Sequence, residues 1–267
     1  MDALTTDLAD FSRRDFTFGG KTKPVLLTGD TGPAVIVIHE VYGFTPPLAR
    51  FCRWIAEAGM RVYAPILLGT PDATNPEKIM RKRLYGLCVS REFTLFRANR
   101  SSPIIDWLKP LAHQAHAECS GPGVGVIGMC LTGGFALSMA VDPVVLAPAL
   151  SQPGMPVGKA AALDISAADL ATVKRRTVEE GLQIRGYRFA GDPLSKPEKF
   201  ATLRREFGTA FRGTELPDAC GNPGSVLARA GKPPHSVMTG DLIDAAGEPT
   251  RAAADEVIGF FKAALTA

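Results

Sequence analysis

The sequence lacks the features that mark membrane, secreted and nucleic-acid-binding proteins. No segment approaches the roughly 18 consecutive apolar residues of a membrane span. The N-terminus, MDALTTDLADFSRRDF, has early acidic residues and no apolar run of signal-peptide length. The net charge is only +3, and the 30 basic and 27 acidic residues are dispersed without a long basic run. We therefore expect a cytoplasmic protein that binds neither a membrane nor a nucleic acid.

Cysteine is also scarce, with five residues in the chain. Their odd number and the absence of CxxC spacing argue against a disulfide framework and against a zinc module. Four of them are expected to be reduced thiols that pack as small apolar side chains. These four are Cys52, Cys88, Cys119 and Cys220.

Apolar residues are abundant, at 46% of 267 residues. A chain of this size and composition can bury a substantial core, and single α/β domains commonly reach this length. No linker rich in Pro, Gly or Ser divides the sequence, and no internal repeat is present. We predict one domain over residues 1–267.

Strand-like and helix-like segments alternate along the chain. The apolar run AVIVIHE at 34–40 has no polar alternation, which is typical of a parallel strand covered on both faces. Further strands are predicted at 61–69, 123–128, 182–192 and 211–217, and helices at 46–59, 101–117, 131–142, 168–181, 195–208 and 249–267. Pro110 is expected to bend or break its helix. The alternation predicts a mainly parallel, doubly wound α/β sheet that binds ligands beyond the carboxyl ends of its strands.

Two stretches do not fit this alternation. The segment 70–92 is polar, basic and poorly periodic, and long loops of this kind often serve as lids or substrate-binding segments. The stretch 218–235 is rich in turn residues and predicts a surface loop.

The sequence GMCLTGG at 128–134 sets Cys130 between a predicted strand and a predicted helix. A nucleophile elbow needs this context, because the sharp turn exposes the side chain while small neighbours let strand and helix approach closely. The positive end of the following helix would favour a thiolate. The alternative is that Cys130 is a small buried residue in an ordinary strand-to-helix turn.

A nucleophile of this type needs a base, and the base needs an orienting acid. In hydrolases of this architecture the chain order is nucleophile, acid, base. Only His235 follows Cys130 among the histidines, and Asp192 lies at the end of the predicted strand 182–192. The alternative for Asp192 is a turn or helix-capping residue. Three other aspartates fit the position less well: Asp164, Asp169 and Asp218.

Stabilisation of a negative oxygen in the transition state requires two backbone N–H groups. One should come from the residue after the nucleophile, Leu131, and the other from the turn after an early strand. The sequence HEVYGF at 39–44 follows such a strand, and its Val41 is the second predicted donor.

Together these segments resemble the dienelactone hydrolase family of α/β-hydrolases. The resemblance rests on VIVIHEVYGF, RVYAPILLG, GVGVIGMCLTGG, FAGDPLSKPEKF and PPHSV, from about residue 30 to the C-terminus. It implies an α/β-hydrolase fold and a triad of Cys130, His235 and Asp192 that cleaves enol-lactones or related esters. It also implies that Glu40 lies near the thiol and modulates its ionisation. Without the resemblance, Glu40 would be interpreted as a salt-bridged carboxylate at a strand end.

The sequence departs from the family pattern at two positions. Thr132 occupies the first glycine of the family's G-x-C-x-G-G, where a β-branched residue could crowd the turn. Thr239 lies four residues after His235, where relatives of the chlorocatechol pathway have an arginine associated with the substrate carboxylate. Another basic residue would then have to bind such a carboxylate. The candidates in the lid-like segment are Arg81, Arg83 and Arg91, which could equally be solvated surface charges.

Two competing functions remain open. One is hydrolysis of a simple carboxylic ester or thioester on the same fold. The other is a non-catalytic binding protein in which Cys130 is a packed or redox-sensing thiol. No metal is predicted, because His39, His113 and His116 lack acidic or cysteine partners at suitable spacing, and the hydrolysis needs no cofactor. The predicted partner is therefore a small-molecule ester or lactone, and the sequence makes no prediction of the oligomeric state.

Overall fold

The fold is centred on a mainly parallel sheet. A computed structural model of the protein describes residues 7–69, 102–154 and 159–266. Within these residues the sheet has eight strands in the order β1-β2-β4-β3-β5-β6-β7-β8. The strands are β1 (Ser12–Phe18), β2 (Lys21–Thr28), β3 (Ala34–Ile38), β4 (Arg61–Pro65), β5 (Val124–Met129), β6 (Val145–Ser151), β7 (Ile184–Phe189) and β8 (Phe211–Leu216). The six strands from β3 to β8 pair in parallel, as predicted, whereas β2 pairs antiparallel with both β1 and β4.

Helices follow most of the parallel strands. They are α1 (Pro46–Glu57), α2 (Ile105–Glu118), α3 (Phe135–Met139), α4 (Ala167–Glu179), α5 (Pro197–Phe207), α6 (Val226–Arg229) and α7 (Pro249–Leu265). Among the described residues, no helix is both long enough and apolar enough to cross a membrane. The lid-like segment 70–92, including Cys88 and the three arginines Arg81, Arg83 and Arg91, lies outside the described residues.

The central strand β3 shows why the sheet is covered on both faces. All five of its residues are buried, and alternate side chains point to opposite faces. Ile36 and Ile38 pack in one hydrophobic cluster, and Val35 and Val37 pack in the other. The predicted doubly wound architecture is thus confirmed, and it leaves the carboxyl ends of β3 and β5 side by side.

Helix α2 corrects the expectation for Pro110. The helix is continuous from Ile105 to Glu118 with Pro110 inside it. Its apolar face, including Trp107, Leu108 and Leu111, is buried against the sheet. Burial of large apolar side chains contributes about 1.5–3 kcal/mol each, which offsets the backbone hydrogen bond that the proline removes.

Four other elements, β1, β2, α3 and α6, differ from the prediction. The hairpin of β1 and β2 is not among the predicted strands, because much of β1 is polar and exposed. Its turn is formed by Gly19 and Gly20, which both have positive φ, as a two-residue hairpin requires. The helix predicted at 131–142 is reduced to the short α3, and the loop predicted at 218–235 contains α6, which Ser225 caps.

Candidate active site

Cys130 lies directly after β5 in a strained backbone conformation. Its φ is +55°, a left-handed geometry that costs a non-glycine residue roughly 1–2 kcal/mol. The surroundings hold this geometry, because the backbone N–H groups of Gly133 and Gly154 both donate to the Cys130 carbonyl oxygen at 3.0 Å. The half-buried Cys130 therefore occupies the turn that a nucleophile elbow requires.

Small residues make this turn possible. A Cβ atom on Gly128 would lie 2.0 Å from the Thr132 carbonyl oxygen, and one on Gly133 would lie 2.5 Å from the Pro153 Cα. Both contacts are with backbone atoms, which cannot move aside without displacing the chain. The glycines therefore allow the close approach of strand, turn and helix that the sequence pattern predicts.

Thr132 does not crowd the turn. Its hydroxyl accepts a hydrogen bond from the Met129 N–H at 3.0 Å. The same hydroxyl lies 3.1 Å from the carbonyl oxygens of Ile38 and His39, and either can accept its proton. The β-branched side chain is fully buried in the gap between β5 and β3, and its polar atom joins the ends of the two strands.

His235 and Asp192 form a buried hydrogen-bonded pair. The His235 Nδ1 atom lies 2.7 Å from Asp192 Oδ2, and the two side chains are only 4% and 0% exposed. The other carboxylate oxygen of Asp192 accepts from the Leu194 N–H at 2.9 Å. This arrangement brings together the base and the acid predicted from chain order, and Nε2 is the ring nitrogen that Asp192 does not contact.

The environment of His235 favours its protonated form. Burial lowers the pKa of the imidazole, but the Cys130 thiol and Asp192 more than offset this effect, so the pKa lies well above its usual value. The Nε2 atom is buried and makes no hydrogen bond of good geometry within the described part of the chain. Among the groups that raise the pKa of His235, Cys130 has the largest effect.

A second aspartate holds the loop that carries His235. The Asp241 Oδ2 atom accepts hydrogen bonds from the backbone N–H groups of His235 and Ser236, both at 2.8 Å. Asp241 is almost fully buried. It was not among the predicted site residues, because no local pattern in the sequence distinguishes it from other aspartates in turns.

Glu40 is buried next to this loop and is held by neutral groups. Its Oε1 accepts from the Thr239 hydroxyl at 2.8 Å and from the Gln152 amide at 2.7 Å, and its Oε2 accepts from the Ser236 hydroxyl at 2.9 Å. Burial raises the pKa of Glu40, although the nearby His235 and the hydroxyl donors partly counteract it. Thr239 therefore bonds to the carboxylate from the position where family members have an arginine.

Gln152 is a site residue that the sequence analysis missed. It follows β6, is fully buried and has a φ of +32°. Its side-chain nitrogen donates to Glu40, and its side-chain oxygen accepts from the Val237 N–H at 3.2 Å and from the Ser151 hydroxyl. Its contacts join the end of β6, the turn after β3 and the loop that carries His235, so only the folded chain reveals them.

The alternative aspartates do not contact His235 in the described structure. Asp164 pairs with Lys199 at 3.1 Å, and Asp218 accepts from the Gly191 N–H at 2.8 Å, next to Asp192. Asp169 lies in the first turn of α4. The two predicted oxyanion donors, Val41 and Leu131, both belong to the hydrophobic cluster against which Cys130 packs.

Cys52 and His113 make contacts of other kinds. Cys52 is buried in the core, and burial raises the pKa of its thiol. His113 is exposed and pairs with Asp142 at 2.8 Å. Cys52, Cys119 and Cys220 are all free thiols, as predicted.

Known proteins resemble this chain in both sequence and structure. A carboxymethylenebutenolidase 1 from Cupriavidus pinatubonensis (strain JMP 134 / LMG 1197) is 25% identical over 147 residues, which cover 48% of this chain and 60% of that protein. A dienelactone hydrolase-like promiscuous phosphotriesterase from metagenomic libraries superposes with a TM-score of 0.64 at 17% identity, covering 96% of this chain and 98% of its own. A dienelactone hydrolase from Anabaena variabilis ATCC 29413 gives a TM-score of 0.58 at 14% identity, covering 96% and 99%.

The structural similarities show that the fold is the α/β-hydrolase fold. The model of the dienelactone hydrolase family matches residues 23–167, which is more than half of the sequence. This match includes the strand before Glu40 and the turn at Cys130. The chain belongs to the dienelactone hydrolase family.

Proposed function

We propose that the protein is a carboxylic ester hydrolase that cleaves enol-lactones or related esters through Cys130, His235 and Asp192. The observation that carries the proposal is the buried His235–Asp192 hydrogen bond of 2.7 Å beside a cysteine held at positive φ. A buried carboxylate hydrogen-bonded to an imidazole holds the ring in one orientation and stabilises its protonated form, which is what a general base next to a nucleophile requires. Membership of the dienelactone hydrolase family supports the same reaction class.

In the proposed reaction, the Cys130 proton passes to His235 Nε2, and Asp192 stabilises the resulting imidazolium. The thiolate then attacks the carbonyl carbon of the ester or lactone. The carbonyl oxygen becomes negative and accepts hydrogen bonds from the backbone N–H groups of Leu131 and Val41. A raised pKa of His235 supports this step, because it stabilises the thiolate–imidazolium pair before substrate binds.

The tetrahedral adduct collapses when the C–O bond to the leaving group breaks. With an enol-lactone the leaving group is an enolate, which departs more easily than an ordinary alkoxide and can help to deprotonate water. Water then attacks the thioester carbonyl, the C–S bond breaks, and the Cys130 sulfur is released. No metal or organic cofactor enters these steps.

A second candidate is a hydrolase of uncharged carboxylic esters or thioesters. The observation that favours it is the set of neutral donors on Glu40, with Thr239 in place of the family's arginine. If no basic side chain replaces that arginine, a substrate carboxylate near the buried Glu40 would be repelled. In either case the proposed chemistry at Cys130 is the same. The proposal also includes a role for Glu40, which modulates the ionisation of the Cys130 thiol.

The test is a hydrolysis screen that compares the full wild-type chain with the Cys130→Ala variant. The substrates are an enol-lactone with a free carboxylate, its methyl ester, a p-nitrophenyl ester and an acyl thioester. We expect wild-type turnover of at least one substrate and a loss of about 10³-fold or more in Cys130→Ala. A preference for the carboxylate over its methyl ester selects the dienelactone-type substrate, and the reverse selects the second candidate.

Circular dichroism of both proteins provides the control, because removal of a half-buried thiol should leave the fold intact. Undiminished hydrolysis by folded Cys130→Ala would refute the nucleophile assignment. Absence of turnover of every substrate by the wild-type chain would instead favour the non-catalytic binding or redox-sensing alternative.

A further inference from the structure

His39 is a fully buried histidine that the proposed reaction does not use. Its Nε2 atom accepts hydrogen bonds from the backbone N–H groups of Leu67 at 2.9 Å and Leu68 at 3.2 Å. A backbone N–H can only donate, so Nε2 must be the unprotonated nitrogen and the ring proton resides on Nδ1. Nδ1 lies 2.6 Å from the carbonyl oxygen of Glu40 and therefore donates to it.

This contact fixes one peptide group. The Glu40 carbonyl belongs to the same planar unit as the Val41 N–H, and in a trans peptide these two groups point in opposite directions. The Gly43 N–H donates to the same carbonyl at 2.9 Å. With its carbonyl held by two donors, the peptide cannot rotate without losing both hydrogen bonds.

The sheet order gives the direction of that peptide. Strand β3 lies between β4 on one side and β5 on the other. Leu67 and Leu68, which hold His39, follow β4, whereas Cys130 follows β5. The Glu40 carbonyl therefore faces the β4 side, and the opposite end of the peptide, the Val41 N–H, faces the β5 side. Val41 and Cys130 also pack in the same hydrophobic cluster.

We propose that His39 is a positioning residue that orients the Glu40–Val41 peptide so that the Val41 N–H stabilises the oxyanion formed at Cys130. The inference rests on the proposed function, since it assigns a role within that reaction. It adds a buried side chain that acts through a peptide group rather than on the thiol or the substrate directly. Misalignment of an oxyanion donor lowers the rate of the chemical step, with little effect on substrate binding.

Two substitutions separate the hydrogen bond that Nδ1 donates from the hydrogen bonds that Nε2 accepts. In His39→Asn the amide nitrogen can occupy the place of Nδ1 and still donate to Glu40, but the acceptor for Leu67 and Leu68 is lost. In His39→Gln the side-chain oxygen can reach the place of Nε2 and accept, but the donor to Glu40 is lost. Each variant keeps one of these two sets of hydrogen bonds and loses the other, so the two variants are matched controls for each other.

We expect kcat for a p-nitrophenyl ester to fall about 10²-fold in His39→Gln, with KM changed less than about threefold. His39→Asn should retain kcat within about fivefold of wild type. Inhibition by phenyl trifluoromethyl ketone, whose adduct with a thiolate bears an oxyanion, should weaken in His39→Gln by the same factor as kcat/KM. The rate of alkylation by iodoacetamide, which needs the thiolate but no oxyanion site, should be unchanged in both variants.

Equal kcat in the two variants would overturn the proposal, as would an alkylation rate that falls in parallel with kcat. The exposed His113→Gln variant is the control for histidine replacement and should match wild type. If His39→Gln does not fold, the wild-type chain with ¹⁵N-valine provides the test: the Val41 amide proton must shift downfield when the ketone adduct forms, and an unmoved resonance refutes the proposal. Ester hydrolysis that survives in Cys130→Ala would instead refute the underlying function, and this inference with it.

Discussion

Thr132 ties the end of β5 to the end of β3 through one hydroxyl group. It accepts the Met129 N–H and faces the carbonyl oxygens of Ile38 and His39, all between 3.0 and 3.1 Å. The adjacent Cys130 has a strained backbone, which persists only when its surroundings determine it fully. At the scale of single residues, Thr132 therefore supports the geometry of the elbow although it replaces a glycine of the family pattern.

Removing this hydroxyl should destabilise the protein more than removing the methyl group. Thr132→Val preserves the shape of the side chain but leaves the buried Met129 N–H without its partner, which costs about 1–3 kcal/mol. Thr132→Ser keeps the hydroxyl and should cost less than about 1.5 kcal/mol. Urea-induced unfolding of both variants measures the difference. Equal stabilities, or a less stable serine variant, would show that the hydroxyl contributes nothing to the turn.

Chain order alone predicts Cys130, Asp192 and His235 as a set, because nucleophile, acid and base follow one another in this order in hydrolases of this architecture. The structure brings His235 and Asp192 together, as this order predicts. Gln152 could not be predicted, because it bonds to Glu40, which is far away in the sequence. Asp241 bonds to His235 only a few residues away, but no local pattern distinguishes it from other aspartates in turns. The sequence left open whether Thr132 crowds the turn, since the pattern of glycines does not show where a hydroxyl finds its hydrogen-bond partners.

At the scale of the elements, β5 and α3 are joined by the turn at Cys130. This turn leaves no room for a side chain between the strand and the residues that follow it. Gly128 is the last glycine of β5, and a Cβ atom there would lie 2.0 Å from a backbone oxygen. Gly259 offers a contrast, because it lies within α7 and a Cβ atom on it would meet nothing within 4 Å. Comparing the same substitution at Gly128 and Gly259 separates the steric effect of an added methyl group from the general effect of replacing glycine.

Gly128→Ala should be strongly destabilising, by more than about 3 kcal/mol, because the new methyl group forces the turn away from the strand. Gly259→Ala should stabilise the protein by about 0.5–1 kcal/mol, since alanine favours a helix. Thermal unfolding followed by circular dichroism compares the two. A Gly128→Ala protein as stable as wild type would mean that strand, turn and helix are less closely packed than described.

Strands and helices could be predicted where their burial produces a recognisable pattern of apolar residues in the sequence. The runs that form β3 and β5 are buried along their full length, and continuous apolar residues identify such strands. The hairpin of β1 and β2 lies at the edge of the sheet, where polar residues blur the alternation. The continuity of α2 through Pro110 depends on tertiary packing, which local propensity does not include.

At the scale of the whole molecule, the sheet brings three distant positions to one edge. Cys130 follows β5, Asp192 follows β7, and His235 lies in the loop system after β8. Parallel strands put all of these loops at their carboxyl ends, where ligands bind in open α/β sheets. The central claim is that these residues act as one unit, in which His235 and Asp192 make Cys130 a nucleophile.

The most direct test of this claim is to look for the covalent intermediate. The full chain is mixed rapidly with a p-nitrophenyl ester or an enol-lactone, quenched in acid within the first turnovers, and analysed as intact protein and as peptides by mass spectrometry. We predict one acyl group per chain, located on Cys130, formed in a burst and lost at the rate of turnover. It should form much more slowly in Asp192→Asn, because His235 then loses its orienting partner. Hydrolysis at the wild-type rate with the acyl group on another residue would contradict the account.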